Sequence, residues 1–224
     1  MTQIYIDIET TGNAEMIPFL PEPTPPKNYK KPEAIARWLT EAKEKQVTKA
    51  ALDLDAARII SIAVAKNCGA PEGWTLNFED RQDESREGSL IDTFWGWIEK
   101  SLAFHGDEFC FVGYNLRNFD LPILLRRTWQ FGLEPPLDIA PMLNRGNVQV
   151  IDLMEALYHN GYTGTRYRGL KAVCQMYGIY NPLPDVDGSM ASEMDASELL
   201  VYNLNDVALT QELAQRTEGY YWFR

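Results

Sequence analysis

The sequence predicts an α/β fold, a mixed sheet flanked by helices, and three observations carry that expectation. A strand of period-two apolar spacing opens the chain at residues 3–9, two more apolar strands joined by a turn lie between residues 58 and 78, and helix and strand alternate from residue 89 before three helices close the chain. The 224 residues suffice for one domain with a sizeable core. Apolar residues at 45% and charged residues at 24% give the balance of a globular protein. One domain over residues 1–224 is expected, with a Pro-rich and helical insertion at about 13–55.

In residues 3–9, Ile4, Ile6 and Ile8 take one face of a strand while Tyr5, Asp7 and Glu9 take the other. Thr10-Thr11-Gly12 ends it, and Pro18, Pro21, Pro23, Pro25, Pro26 and Pro32 exclude a regular element over 18–32. Residues 33–50 lack Gly and Pro and are rich in Ala, Glu and Lys, which predicts a helix with an exposed face. Residues 58–65 read as a buried strand and 74–78 as its antiparallel neighbour, with Cys68-Gly-Ala-Pro-Glu-Gly73 as the turn. Leu90, Phe94, Trp97, Ile98 and Leu102 form one stripe of a helix over 89–103, and 108–113 is a buried strand. The next helix starts at about Phe119-Asp120 and runs to Trp129, because Pro122 fits only its first turn. Beyond residue 150 no strand stands out; helices are expected at 152–159, 170–177 and 197–217, with a loop at 181–188.

No apolar run reaches the roughly 18 residues that cross a bilayer, and the N-terminus lacks a basic segment ahead of an apolar one. No membrane association and an intracellular, cytoplasmic location are expected. Cys68, Cys110 and Cys174 are odd in number and widely spaced, which predicts reduced structural thiols. The net charge of −11 taken alone argues against nucleic acid. A cluster of metal-binding carboxylates would be neutralised by its ions, and the remaining acidity then restricts any such enzyme to a few phosphates at a strand end.

Three acidic elements fall at strategic places: Asp7-Ile-Glu9 at the end of the first strand, Asp120 at a helix start, and Asp206 in the last helix. Each has an ordinary reading: strand-end polarity, a charge that suits the helix dipole, and a solvated position on an amphipathic helix. Their surroundings tell against these. Asp7 and Glu9 interrupt an apolar strand, where paired carboxylates repel unless a cation lies between them. Asn115 precedes Asp120 by five residues, and Tyr202 and Asp206 share one helix face at i and i+4.

The order Asp-x-Glu, Asn-x-x-x-Phe-Asp, Tyr-x-x-x-Asp resembles the three exonuclease motifs of the DEDD superfamily, and the tyrosine marks its DEDDy branch. Within it the likeness is to the proofreading exonuclease domain of family B DNA polymerases and to stand-alone bacterial and phage proteins predicted to be related exonucleases. Ile6-Asp-Ile-Glu-Thr10, Asn118-Phe-Asp-Leu-Pro-Ile-Leu124, Ile151-Asp-Leu-Met154 and Asp187-Gly-Ser189 extend it over most of residues 3–213. The sister branch carries a histidine five residues before the last aspartate, where this chain has Val201.

The resemblance implies a ribonuclease-H-like fold and a two-metal hydrolysis that releases nucleoside 5′-monophosphates from a 3′ end, single-stranded DNA being the expected substrate, in a bacterial cell. Asp7, Glu9, Asp120 and Asp206 would hold two divalent ions, Mg²⁺ or Mn²⁺, and Tyr202 would align the attacking water. Such hard ions prefer carboxylate oxygens, so no histidine or cysteine ligand is required. Thr10, Thr11, Asn115 and Phe119 are the candidate contacts to the terminal nucleotides. Arg117, Arg126, Arg127, Arg166, Arg168 and Lys171 are candidate phosphate contacts. Two alternatives stand beside this one: an exoribonuclease, since the same chemistry cleaves either backbone, and a catalytically silent binding module that has kept the fold.

Overall fold

The computed structural model describes residues 1–103, 109–158 and 166–221. Five strands form one mixed sheet in the order β3-β2-β1-β4-β5. β1 (Thr2–Gly12) lies at its centre, antiparallel to β2 (Ala57–Lys66) and parallel to β4 (Phe109–Gly113). β3 (Glu72–Thr75) pairs antiparallel with β2, and β5 (Val150–Asp152) pairs parallel with β4. The helices are α1 (Pro32–Lys49), α2 (Glu84–Ala103), α3 (Asp120–Gln130), α4 (Leu153–Leu157), α5 (Leu170–Met176) and α6 (Ala196–Tyr221).

The period-two pattern of β1 divides the core into two layers. Ile4, Ile6 and Ile8 join Phe94 and Ile98 of α2 and Leu121 and Leu124 of α3 on one face. Tyr5 joins Val173 of α5 and Val207 and Leu213 of α6 on the other. Asp7 and Glu9 share Tyr5's face, so the fold aims them at α6. β2, covered on both sides, is buried at nine of its ten positions, as a central strand requires.

Two expectations about the strands need correction. β5 was not expected: at three residues it is too short to show a period, and its hydrogen-bonding partner β4 creates it. β3 begins at Glu72, inside the expected turn, and ends at Thr75, leaving Phe78 exposed in a short 3₁₀ turn. Gly73 explains the shift, because a Cβ there would sit 2.8 Å from the Ile62 carbonyl oxygen: the glycine serves close strand approach rather than a turn. Cys68 is exposed, while Cys110 and Cys174 are buried, and burial pushes their thiols up to about 11 and about 12. Glu108 and His159, at the ends of two expected elements, lie outside the described residues. Among the described residues no helix is long and apolar enough to cross a membrane.

Candidate active site

β1 runs past the end of β4. Their pairing covers Thr2 to Tyr5, and beyond it the Ile8 amide donates to Asp120 Oδ1 at 3.0 Å. Asp120, first residue of α3, therefore stands in for a missing strand and brings its own carboxylate to the β1 edge. From the opposite layer α6 delivers Tyr202 and Asp206, one helical turn apart. Carboxylate oxygens of Asp7, Glu9 and Asp206 all lie within 4.8 Å of one another. Three of the four expected ligands thus form one cluster, with Asp120 beside it.

The cluster is built of carboxyl groups alone and is largely buried. Burial, followed by the nearby charges of Asp120, Glu9 and Asp206, holds the Asp7 carboxyl well above the usual range, against a hydrogen bond from Asn203. Glu9 is pushed up by burial and by Asp206 and Asp120, and Lys171 opposes the shift. Burial also raises Asp206 and lifts Asp120 to about 7, although the Ile8 amide pulls Asp120 down. Such a set of oxygen donors is unfavourable by itself and is relieved by a divalent cation.

Lys171 supplies the cluster's nearest positive charge. Its ammonium lies 3.8 Å from Asp206 Oδ1 and 4.2 Å from the centre of the Tyr202 ring, and it donates to the Val186 carbonyl. It is thus a cation inside the site rather than only a surface phosphate contact. Tyr202 is buried with Ile60, Ala191, Met194 and Leu199, and burial raises its phenol far above its ordinary value. A Cβ on Gly188 would lie 3.7 Å from the Tyr202 hydroxyl and 3.8 Å from Glu9 Oε2, so the 188 backbone borders the site closely.

Two residues acquire roles that sequence reasoning did not give them. Asn203, fully buried, donates to Asp7 Oδ2 at 2.7 Å and accepts at 3.1 Å from the Ser61 hydroxyl. Its only sequence signal is its place in the polar run Tyr202-Asn-Leu-Asn-Asp206 of an amphipathic helix. Asp152 caps α4 and also accepts the amides of Asn115 and Arg117, each at 3.0 Å. That grip holds Asn115 at φ 64°, a left-handed conformation asparagine tolerates better than most residues.

The remaining candidates divide. Thr11 and Asn115 are half-buried near the site, and Phe119 is half-buried against the main core. The Thr10 hydroxyl donates to the Ala51 carbonyl at 2.6 Å, which makes it a brace for the insertion. Arg117 and Arg127 are corrected from phosphate contacts to buried structural groups. Arg117 donates to the carbonyls of Met142, Asn144, Asn147 and Val150, and Arg127 shares the buried Glu87 with Arg58. Arg126 is exposed and pairs with Asp55; Arg166 and Arg168 are exposed.

A family model described as a predicted 3′→5′ exonuclease related to the exonuclease domain of PolB matches residues 50–211. The chain belongs to this family. The fold of this PolB-like exonuclease domain is similar to that of the family B DNA polymerase of the archaeon Pyrobaculum calidifontis, at TM-score 0.52 and 16% identity over 97% of this chain and 24% of that one. It is similar to exonuclease I, at 0.54 and 12% over 97% and 41%, and to the zinc-bound complex of E. coli exonuclease I with single-stranded DNA, at 0.50 and 13% over 97% and 40%. The chain spans from about a quarter to two fifths of the length of these proteins. No curated protein matches it. At such identities the likeness is one of fold: the mixed sheet with flanking helices is ribonuclease-H-like. The matched span begins after Asp7 and Glu9, yet their strand is the centre of the sheet.

Proposed function

We propose that the protein is a DEDDy-type, metal-dependent 3′→5′ exonuclease that removes nucleoside 5′-monophosphates from single-stranded DNA ends, residues 1–224 acting as one domain with 13–55 inserted in it. The convergence of Asp7, Glu9 and Asp206 within 4.8 Å, beside Asp120 and the Tyr202 phenol, carries this reading. The kinship with polymerase and exonuclease I domains favours DNA.

The donor set fits two divalent ions of the Mg²⁺ or Mn²⁺ type: all ligands are carboxylate oxygens, and their mutual repulsion is what a cation offsets. Asp7, Glu9, Asp120 and Asp206 would hold them. When bound, such ions lower the pKa of a water and stabilise charge on the attacking and leaving oxygens. The chain's own groups do the rest. Tyr202, kept protonated by burial, donates a hydrogen bond that orients the water for attack on phosphorus as the 3′-oxygen leaves. Lys171 holds Asp206 and the Tyr202 ring in place. Asn203 fixes the Asp7 carboxylate. Thr11, Asn115 and the open edge of Phe119 meet the terminal nucleotides, the ring stacking without sequence preference.

The test is incubation with 3′- or 5′-labelled single-stranded DNA and RNA in Mg²⁺, Mn²⁺ or EDTA, beside Asp7→Ala and Tyr202→Phe. Metal-dependent shortening from the 3′ end is expected, lost in Asp7→Ala and slowed about 10²-fold in Tyr202→Phe, the usual cost of one oriented donor. A preference for RNA would move the assignment to an exoribonuclease. Inactivity on every free-ended strand would leave a binding module.

A further inference from the structure

α1 and the chain before it contribute nothing to the core: among its described residues, α1 has no buried side chain. The insertion is nevertheless rooted beside the site. Its return joins β1 through Thr10 and Ala51, and the Asn13 amide donates to the Ala56 carbonyl at 2.7 Å, so both roots lie within a few residues of Glu9. From that root α1 extends its 18 residues, about 27 Å at 1.5 Å per residue.

The charge of this segment is opposite to that of the rest. Residues 27–49 hold seven basic and three acidic side chains, a net of +4 in a chain of −11, so the remainder carries −15. Elsewhere several arginines are spent internally, with Arg58, Arg81, Arg117 and Arg127 all buried. Of the seven cations in this segment, Arg37 and Lys43 are paired. Lys45 and Lys49 return with Trp38 to one face within about 40° at 100° per residue, Lys31 is the extended residue just ahead of the helix, and Glu33 and Glu44 lie on the opposite side, with Glu41 about 60° from Trp38. Lys27, Lys30, Lys31, Lys45 and Lys49 have no carboxylate partner among the described residues, where the ion pairs in this region are Arg37 with Glu41 and Lys43 with Glu22. Tyr29 sits edge-on to Trp38, ring centres 6.4 Å apart, in a groove shared with Glu33, Arg37 and Glu41, and Lys30 and Lys31 adjoin Tyr29 in the chain.

We propose that the insertion is a second contact for the single strand, gripping phosphates several nucleotides to the 5′ side of the end being cut. This rests on the exonuclease reading. Exposed lysines in the same segment as an aromatic pair suit a flexible polyanion with stackable bases. At about 3.4 Å per stacked nucleotide, the 27 Å from root to tip corresponds to roughly eight nucleotides. A four-nucleotide substrate would not reach the tip, and a sixteen-nucleotide one would.

The test compares the full-length protein with a Lys27→Gln, Lys30→Gln, Lys31→Gln variant, all three positions being exposed and outside the core. Two quantities are measured: kcat/KM on labelled dT4 and dT16 in Mg²⁺, and the salt dependence of dT16 binding in EDTA by fluorescence anisotropy. The variant is expected to match wild type on dT4 and to lose the gain that wild type shows on dT16. Its slope of log affinity against log salt should be shallower by about 2, from three lysines at about 0.7 each on single strands. Wild-type cutting with neither length effect nor slope changed in the variant would overturn the second contact alone and leave the lysines to an acidic protein partner. Lysine-dependent binding by a wild-type protein that cuts nothing would uphold the contact and overturn the exonuclease reading. Absence of dT16 binding would overturn the contact.

Discussion

Asp120→Asn separates two things that Asp120 does: it keeps an acceptor for the Ile8 amide and removes a buried negative charge. Burial lifts the Asp120 carboxyl from its ordinary 3.8 to about 7. A group whose pKa is raised by folding leaves the folded state fully stable below the unfolded value, and that stability is lost as pH rises from 3.8 to 7. At 1.36 kcal/mol per unit, the charged carboxylate costs the metal-free protein about 4 kcal/mol above pH 7. With about 2–4 °C per kcal/mol for a chain of this size, the variant should melt on the order of 10 °C above wild type at pH 8 in EDTA. At pH 4.5 the advantage should shrink to about 1 kcal/mol, since that pH lies less than one unit above the unfolded value and the folded carboxyl still holds its proton. Added Mn²⁺ should narrow the gap, because it stabilises wild type more than a variant that has lost a ligand. Thermal melts of both proteins at the two pH values, with EDTA and with Mn²⁺, measure this. A variant no more stable than wild type at pH 8, or equally advantaged at both pH values, would refute the claim that Asp120 is held against its own charge.

Asn203→Ala should weaken divalent binding about 10- to 100-fold, the usual effect of losing a residue that orients a ligand, read as the Mn²⁺ concentration giving half-maximal activity. The same change should cost about 1–3 kcal/mol in urea unfolding, because the buried Asp7 and Ser61 side chains lose a partner. Glu87→Ala should cost about 3–5 kcal/mol by leaving Arg58 and Arg127 buried without their shared carboxylate, with the Mn²⁺ requirement of the surviving folded protein unchanged.

The elements that the sequence revealed are those whose periodicity reports burial directly. Ile4, Ile6 and Ile8 alternate because one face of β1 meets α2 and α3, and that alternation also put Asp7 and Glu9 together. Tyr202 and Asp206 were legible as a pair because helix geometry fixes them one turn apart. β5 was not legible, since three residues acquire a strand's hydrogen bonds only from β4. The arginines misled for a related reason: Arg117 and Arg127 look like surface charge until the fold supplies four carbonyls to one and Glu87 to the other. Asn203 and Asp152 act through contacts 142 and 35 residues away, as with Ser61 and Arg117, which no local spacing encodes.

The site is stitched across the whole chain: 112 residues separate Ile8 from Asp120, and 196 separate Asp7 from Asn203. All five strands are complete by residue 152, whereas Tyr202, Asn203 and Asp206 arrive with the final helix. During synthesis, which delivers the N-terminal part first, a nascent chain can hold its sheet while still lacking Tyr202, Asn203 and Asp206. Docking of α6 must then close the longest loop against the repulsion of carboxylates already in place, and cations ease that step. On the exonuclease reading, a chain assembled in this order gains its full carboxylate site only once α6 has been made.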